Sequence, residues 1–312
     1  MPILKKSNDF FLYKKGDNAP TASNGYLTDD YISITGNHIA YDLNLVGNGK
    51  GNTKQTKYVK SIVPMALSGK ICFMEPTTIN DDLPQLELFE AAGFVQEKVA
   101  DTSITLYPTL TAQNGTAIWY KGGVMKYILS NIVGRFDFVA DASNTKFSAN
   151  FELTGINDPS TIANETGVTP TFTENSYFKM TKDSYVTVGG VQKCPFGEIS
   201  LTLNSETDEG EGTVICRKAE IEDFAPMLSF SEVLDTTGDS NLTPITNWLN
   251  DSDVAISFPL FSENFKMEIK INKGIEKPTE DNESGLKYLQ KRNIRLLNDS
   301  NDRAFEIVIT PL

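Results

Sequence analysis

Few residues in this chain have the type and spacing that catalysis or metal binding requires. The single histidine, His38, lies in an Asn-rich, strand-like segment in which no Cys, Asp or Glu stands at metal-ligand spacing. A lone imidazole also excludes mechanisms that need two histidines. The sequence has no GxSxG, HExxH or phosphate-loop signature. We therefore interpret His38 as structural or solvated and expect no metal, no cofactor and no enzyme activity.

Two further segments resemble ligand loops only superficially. The acidic run of Glu206, Asp208, Glu209 and Glu211 lacks the DxDxDG order of a calcium loop and its glutamate at position twelve, so a solvated turn between strands is the better interpretation. The glycines of Gly47–Lys54 have the wrong spacing for a phosphate loop, which favours a flexible loop or arm.

The cysteines and tryptophans are expected to be structural. Cys72, Cys194 and Cys216 are odd in number, far apart and outside CxxC spacing, so we expect all three to be reduced and to serve as small apolar residues. Trp119 and Trp248 lie in periodic apolar segments, which favours core packing for both.

Composition and charge limit the class of protein. The 312 residues are 39% hydrophobic and 10% aromatic, which predicts a folded chain with two domains. The net charge of −13 falls entirely on residues 151–312, which hold 14 Lys or Arg against 27 Asp or Glu. Such a chain is poorly suited to grip nucleic acid, although it is able to surround DNA. A weakly basic start, with nine Lys and five Asp in residues 1–70, is able to meet the acidic half of a neighbouring subunit.

The sequence has no recognisable targeting signal, which predicts a protein made in the cytoplasm. No window approaches eighteen consecutive apolar residues, and the first residues lack a long apolar stretch with a cleavage site. We expect the protein to stay in the cytoplasm unless it leaves as part of a particle.

The elements that position these residues are mostly strands. Period-two alternation in 134–140 and 146–155 predicts a long, half-buried antiparallel hairpin with its turn at Asp141–Thr145. Its inward residues are expected to be Phe136, Phe138, Ala140, Phe147, Ala149, Phe151 and Leu153. Further strands are predicted at 60–67, 69–74, 102–107, 117–121, 124–129, 198–203, 212–216, 254–260, 264–272, 294–297 and 304–310.

Two short helices interrupt the strands. Leu83–Gly93 has Asp82 as N-cap and Gly93 as left-handed C-cap, and Asn241–Asp251 has Thr243 before Pro244. Strand, helix, strand and hairpin occur twice in this order, which predicts an internal duplication of architecture. We expect a mainly β fold of two tandem units, each a β-sandwich or half-open barrel with one short helix. The predicted divisions are an N-terminal arm (1–55), a first unit (56–158), a linker (159–190) and a second unit (191–312).

Six segments carry a family resemblance when taken in order. They are LELFEAAGF (86–94), TLYPTL (105–110), AIWYKGGVMKYILSNIVGRFDF (117–138), KFSANFELTGINDPS (146–160), TVICRKAEIE (213–222) and NDRAFEIVI (301–309). From about residue 58 to residue 312 the chain resembles the major tail tube proteins of long-tailed, non-contractile bacteriophages. The first fifty residues are not matched.

The resemblance implies a structural virion protein of the tail, made in the host cytoplasm. Three copies would form a ring with pseudo-sixfold symmetry, and rings would stack into a hollow tube through which DNA passes without specific binding. Tape measure, tail terminator and distal tail proteins would be its partners, with no membrane involved. Deleting residues 1–50 is expected to leave rings that do not stack.

The same resemblance implies site residues. An acidic lumen would repel phosphates, and Asp137 and Glu152 are candidates to face it. A position against a neighbouring domain or solvent stays open for both. The candidates for contacts between rings are Gly47, Lys50, Lys54, Lys57, Pro159 and Pro170.

Three other classes stay open. A β-sandwich adhesion module would carry a patch of exposed aromatic residues and would not polymerise. A hydrolase with a carboxylate pair fits no particular residues, because such pairs are set in space rather than by spacing. A tube subunit from a contractile tail would commonly have a single domain.

Overall fold

Alternating apolar residues give the chain a mainly β fold of antiparallel strands, with two α-helices among the residues that the structure describes. The computed structural model describes residues 8–29, 32–35, 40–47, 53–61, 63–141, 146–157, 159–204, 206–208, 220–234, 239–284 and 287–312. Up to residue 157 the elements are β1 (Phe10–Lys15), β2 (Ser33–Thr35), β3 (Ala40–Gly47), β4 (Thr53–Ser61), β5 (Val63–Cys72), α1 (Leu86–Glu90), β6 (Phe94–Val99), β7 (Ser103–Pro108), β8 (Gly115–Lys121), β9 (Met125–Asp141) and β10 (Phe147–Asn157). The later elements are β11 (Ala163–Asn164), β12 (Val186–Val188), β13 (Val191–Lys193), β14 (Pro195–Thr202), β15 (Glu206–Asp208), β16 (Glu220–Asp223), β17 (Met227–Val233), α2 (Asp239–Leu249), β18 (Asp253–Phe261), β19 (Phe265–Glu276), β20 (Glu280–Ser284), β21 (Lys287–Leu296) and β22 (Glu306–Pro311).

The predicted long hairpin is confirmed as β9 and β10. Phe136 pairs with Phe151 and Phe138 with Ala149, which places their side chains on one face. All seven residues expected to point inward are buried. Of the turn predicted at Asp141–Thr145, Asp141 belongs to β9 and residues 142–145 lie outside the described residues. Period-two alternation alone therefore identified the hairpin and its buried face.

The hairpin lies in the middle of a central sheet. Its strands pair in the order β2, β5, β10, β9, β14, β17, β21 and β20, and every pairing is antiparallel. One face of this sheet packs on the hydrophobic core, and we call the other the polar face. A second layer contains β13, β12, β18, β19, β22, β7 and β6 in that order.

The two layers enclose one core. Side chains from both line a small internal gap, with Phe138 and Leu201 from the central sheet opposite Phe258 and Ile269 from the second layer. Helix α1 adds Phe89, whose ring lies 5.1 Å from that of Phe136. Close packing of large apolar side chains between layers is the main stabilising term of such a fold.

Strand pairing also joins the two halves of the chain. Strand β9 pairs with β14 in the central sheet, and β7 pairs with β22 in the second layer. The expected linker at 159–190 packs against both halves, because Phe178 is fully buried and Lys179 exchanges backbone hydrogen bonds with Phe261. The division into two units stays a prediction, and the boundary proposed for it is crossed by both layers.

The expectation of a free N-terminal arm was wrong for β1. Residues Phe10–Lys15 pair with β8, and Phe11 and Tyr13 are fully buried. Deletion of residues 1–50 would therefore remove part of the core as well as any arm. The hairpin of β3 and β4 forms a sheet of its own, and so do β15 and β16.

The helix boundaries needed correction. Helix α1 begins after Gln85, and Asp82 instead accepts hydrogen bonds from Gln96 and Lys98, each at 2.8 Å. Helix α2 begins at Asp239, earlier than predicted, so Pro244 lies inside it and one helical hydrogen bond is missing. Local capping signals correctly predicted that both helices exist, but they placed the first residue of each helix wrongly.

Several strands differ from their predicted bounds. The pairs predicted at 60–67 and 69–74, and at 124–129 and 134–140, are largely continuous in β5 and β9. No strand was predicted for β1, β4, β6, β11, β12, β13, β15, β16, β17 or β20, and the strand predicted at 212–216 lies outside the described residues.

The left-handed conformation predicted at Gly93 is confirmed and gives a test of the fold, although α1 itself ends earlier than predicted, with Ala91 as its C-cap. Gly93 has φ 79°, and a Cβ there would lie 2.2 Å from the carbonyl oxygen of Thr109. Gly167 has φ 84° and open space around its Cβ position. We expect Gly167→Ala to lower the free energy of unfolding by about 1–2 kcal/mol from backbone strain alone. Gly93→Ala should cost clearly more because the clash adds to the strain.

Chemical denaturation of both variants measures this difference. Equal losses of stability would contradict the close approach of α1 and the segment after β7.

Candidate functional site

The polar face of the central sheet brings together two of the predicted site residues, Asp137 and Glu152. Antiparallel register aligns its side chains in rows across the strands, and most are short or charged. Its half-buried or exposed members are Ser68, Lys70, Arg135, Asp137, Val139, Asn150, Glu152, Ser200, Thr202, Ser229, Lys291, Asn293 and Arg295. Strand geometry puts these residues opposite the core, because alternate side chains leave opposite faces.

Asp137 and Glu152 lie on this face beside Arg135. Glu152 is exposed and pairs directly with Arg135 across the β9–β10 hairpin. Asp137 is half-buried, and its Oδ2 lies 3.8 Å from an Arg135 guanidinium nitrogen. A shallow groove containing all three also includes Lys70 and Asn150. The structure thus places both candidates on one face, and Arg135 is the neighbour that sequence reasoning missed.

The polar face carries charges of both signs. Its cationic side chains are Lys70, Arg135, Lys291 and Arg295, and the anionic ones in register with the same rows are Asp137, Glu152, Glu198 and Glu280. The described part of this face is therefore balanced in charge, and the excess acidity of the second half lies elsewhere. An acidic face was expected, and the alternation of the strands gave no means of weighing the basic residues against the acidic ones.

The residues predicted to contact a neighbouring ring fall into two separate groups. Gly47, Lys54 and Lys57 belong to the β3–β4 hairpin, where Lys57 pairs with Asn44. Pro159 starts a short 3-10 turn. Lys50 lies outside the described residues.

Pro170 belongs to a different surface from the hairpin residues. It is half-buried beside Gly25, where an added Cβ would lie 3.1 Å from the Pro170 side chain. The backbone amide of Thr171 donates to the carbonyl of Ala22 at 2.8 Å, which fixes this part of the connector against the N-terminal region.

A buried ionic network lies at one end of the second half. Arg292 is 2% exposed and binds Glu276 on β19 and Glu232 on β17. Lys193 lies 3.3 Å from Glu232, and Asn247 of α2 donates to Glu276 at 3.2 Å. The two cations and two anions balance, and the network joins α2 to the four strands β13, β17, β19 and β21.

Burial governs the electrostatics of this network. Desolvation lowers the pKa of the Arg292 guanidinium, while the nearby Glu232 carboxylate opposes that shift. The guanidinium also lies 5.5 Å from the centre of the Phe230 ring. Sequence reasoning missed this network, because a charged residue at an inward position of an alternating strand resembles a register break.

The remaining candidates for chemistry are dispersed or undescribed. His38, Glu209, Glu211 and Cys216 lie outside the described residues. Cys72 is buried, and desolvation raises the pKa of its thiol to about 11. Cys194 is exposed, which corrects the expectation that all three cysteines serve as small apolar residues.

Within the described ranges, no group of three His, Cys, Asp or Glu residues is placed to hold a metal ion. The same ranges include no helix with the length and hydropathy to span a membrane.

The two tryptophans have different environments. Trp119 is 3% exposed in β8, as expected, whereas Trp248 is 41% exposed on α2. The prediction of core packing was therefore wrong for Trp248, because α2 turns its apolar side outward.

Comparison with known proteins finds no matching family model and no matching curated sequence. The resemblance to tail tube proteins accordingly stays a prediction.

The buried network yields a stability prediction with a matched control. Glu276→Gln leaves the Arg292 charge buried with Glu232 as its only carboxylate partner, so we expect the free energy of unfolding to fall by about 3–5 kcal/mol. Glu268 lies on the same strand and contacts Lys266 and Lys270 at the surface. Glu268→Gln should change stability by less than about 1 kcal/mol.

Urea denaturation followed by far-UV circular dichroism gives both values. A Glu276→Gln variant as stable as Glu268→Gln would show that the network contributes nothing net.

Proposed function

We propose that this chain is the major tail tube subunit of a long-tailed bacteriophage with a non-contractile tail. Rings of the subunit stack into a hollow tube, and DNA passes through it during ejection. The observation that carries the proposal is the central sheet, which is apolar on one face, polar on the other and built around the β9–β10 hairpin. A sheet of this kind is suited to line a wide aqueous channel.

The edges of the central sheet support assembly in a ring. Among the described strands, β2 pairs only with β5 and β20 pairs only with β21. These edges differ in sequence and length, so a contact between them is head-to-tail and closes into a ring when the rotation fits. Closure would cover both edges, which otherwise invite uncontrolled pairing.

The strand order supports pseudo-sixfold symmetry. Four neighbouring strands of the central sheet, β2, β5, β10 and β9, come from residues 33–157. The next four, β14, β17, β21 and β20, come from residues 195–296. Three copies would thus supply six four-stranded units to one ring, as the resemblance implies.

The chemistry of the polar face suits passage of DNA without binding. Retention of duplex DNA depends on lysine and arginine that neutralise phosphates and release counterions. Here the described cations and anions of the face are equal in number, and short hydroxyl side chains such as Ser200, Thr202 and Ser229 fill positions between them. Charge balance, rather than the acidic lumen first expected, is the property that keeps DNA mobile in this proposal.

The remaining assignments follow from the resemblance. The tape measure, tail terminator and distal tail proteins would bind the tube, and the protein would reside in the virion tail. Contacts between rings would involve the β3–β4 hairpin with Gly47, Lys54 and Lys57, together with the connector that holds Pro159 and Pro170.

Electron microscopy of the concentrated protein tests the proposed function directly. We expect hollow tubes of uniform bore built from stacked rings with threefold symmetry. Isolated globular particles, also after addition of tape measure and distal tail proteins, would contradict it and favour the adhesion module. Exposed aromatic residues of the second half, Tyr185, Trp248 and Tyr288, are the feature that favours that alternative.

Thiol accessibility tests whether the polar face lies on the inside or the outside of the tube. In a chain with Cys194→Ser and Cys216→Ser, Glu152→Cys places one exposed thiol on this face. We expect a small maleimide to label it in tubes, because the reagent diffuses into the bore, and a maleimide on a large polymer to label it only in unassembled chains. Labelling of tubes by both reagents would place the face outside, and labelling by neither would place it in an interface.

A further inference from the structure

Helix α2 is amphipathic in the reverse sense of an ordinary surface helix. Leu242, Ile245 and Leu249 recur at helical spacing on one side and are 59%, 37% and 68% exposed. Trp248 adds to this stripe at 41% exposed. The opposite side holds buried Pro244 and the half-buried polar Asn247. The helix therefore presents its large apolar side chains to solvent.

The orientation of α2 is fixed by the ionic network beneath it. Asn247 donates to Glu276, which binds buried Arg292, so rotating the apolar stripe inward would leave the Glu276 carboxylate without its amide partner. Buried carboxylates that lose a hydrogen bond carry a large desolvation cost. The fold therefore keeps the apolar stripe of α2 on the solvent side, and packing of this stripe on the core of the same chain is disfavoured.

The β3–β4 hairpin has the complementary features. It pairs only within itself among the described strands, and an isolated two-stranded hairpin is at best marginally stable in water. Its sequence alternates apolar residues at Tyr41, Leu43 and Leu45, and Leu43 pairs with Tyr58. A hairpin of this composition needs a further surface to support it.

The net charges of the two elements are opposite. Residues 40–61 contain four lysines and one aspartate, Asp42, whereas residues 239–253 contain three aspartates and no lysine or arginine. One of those aspartates, Asp253, lies 3.3 Å from Lys273, and the exposed Asp251 at the end of α2 is not in that pair. Opposite charges around an apolar contact fix orientation and disfavour self-pairing of either element.

We propose that the exposed stripe of α2 is the docking surface for the β3–β4 hairpin of a second copy of this chain. The inference rests on the proposed function, and it assigns the partner surface for the hairpin in contacts between subunits. The two surfaces differ, so the contact is heterologous and can repeat from copy to copy. In this proposal the apolar alternation of the hairpin packs on Leu242, Ile245 and Leu249, and its positive net charge complements the negative charge of residues 239–253.

The test is crosslinking between two singly substituted chains, both carrying Cys194→Ser and Cys216→Ser. One chain carries Lys57→Cys in the hairpin and the other carries Leu242→Cys in α2. A crosslink between these two positions must therefore join two different copies of the chain. Val99→Cys is the matched control, because Val99 on β6 is 59% exposed, as is Leu242. After assembly of the mixture and treatment with a short bismaleimide, we expect the Leu242→Cys pair to crosslink at least tenfold more than the Val99→Cys pair.

Each outcome separates the docking site from the proposed function. Tubes with equal crosslinking of both pairs would overturn the docking site and leave the tube intact. Preferential crosslinking in compact oligomers without tubes would support the docking site and contradict the tube, and no assembly at all would overturn both.

A second measurement uses Trp248 as a reporter. Its emission should shift to shorter wavelength and lose access to acrylamide when copies assemble, whereas that of buried Trp119 should not change. Trp248→Phe should remove the shift. Assembly with unchanged emission from Trp248 would contradict docking on α2.

Discussion

Strand β9 belongs to two sets of pairings at once, and the rest of the structure depends on its register. One edge of β9 pairs first with β8 and then with β14, while β10 lies along the other edge. At the point of change Asn131 takes φ 51°, and the β10 register shifts between Thr154 and Ile156. A slip of one residue would exchange the core residues for the polar row containing Asp137. The register of β9 therefore fixes both the core and the polar face.

The sequence was sufficient to predict which side chains of a strand are buried, but not which strands lie next to each other in the sheet. Alternation predicted that Phe136 and Phe151 are buried and that Asp137 and Glu152 lie opposite them. It gave no means of finding that β14 follows β9 in the sheet, since strands distant in sequence pair according to the shape of the whole core. The contribution of Arg135 was visible only once the register of the hairpin was known, because Arg135 and Glu152 become neighbours through that pairing.

Helix α2 shows why hydrophobic periodicity misled at one position. Trp248 has the spacing of a core residue, and in most helices the apolar stripe faces inward. Here the interior position is already occupied by a carboxylate and a guanidinium, and the short amide of Asn247 satisfies them better than an aromatic ring would. Predicting this arrangement required knowledge that Arg292 is buried, which no local pattern revealed.

The pairing of β22 with β7 bears on the order in which the protein folds during its synthesis. Residues 306–311 occupy the position between β7 and β19, so the second layer has a gap until they leave the ribosome. Ile104 and Leu106 of β7 pair with residues of β22 that are synthesised about 200 residues later. Contacts between residues so distant in sequence form slowly. The second layer therefore becomes continuous only after β22 has been synthesised, which makes the closing of this layer a late event in the folding of the chain.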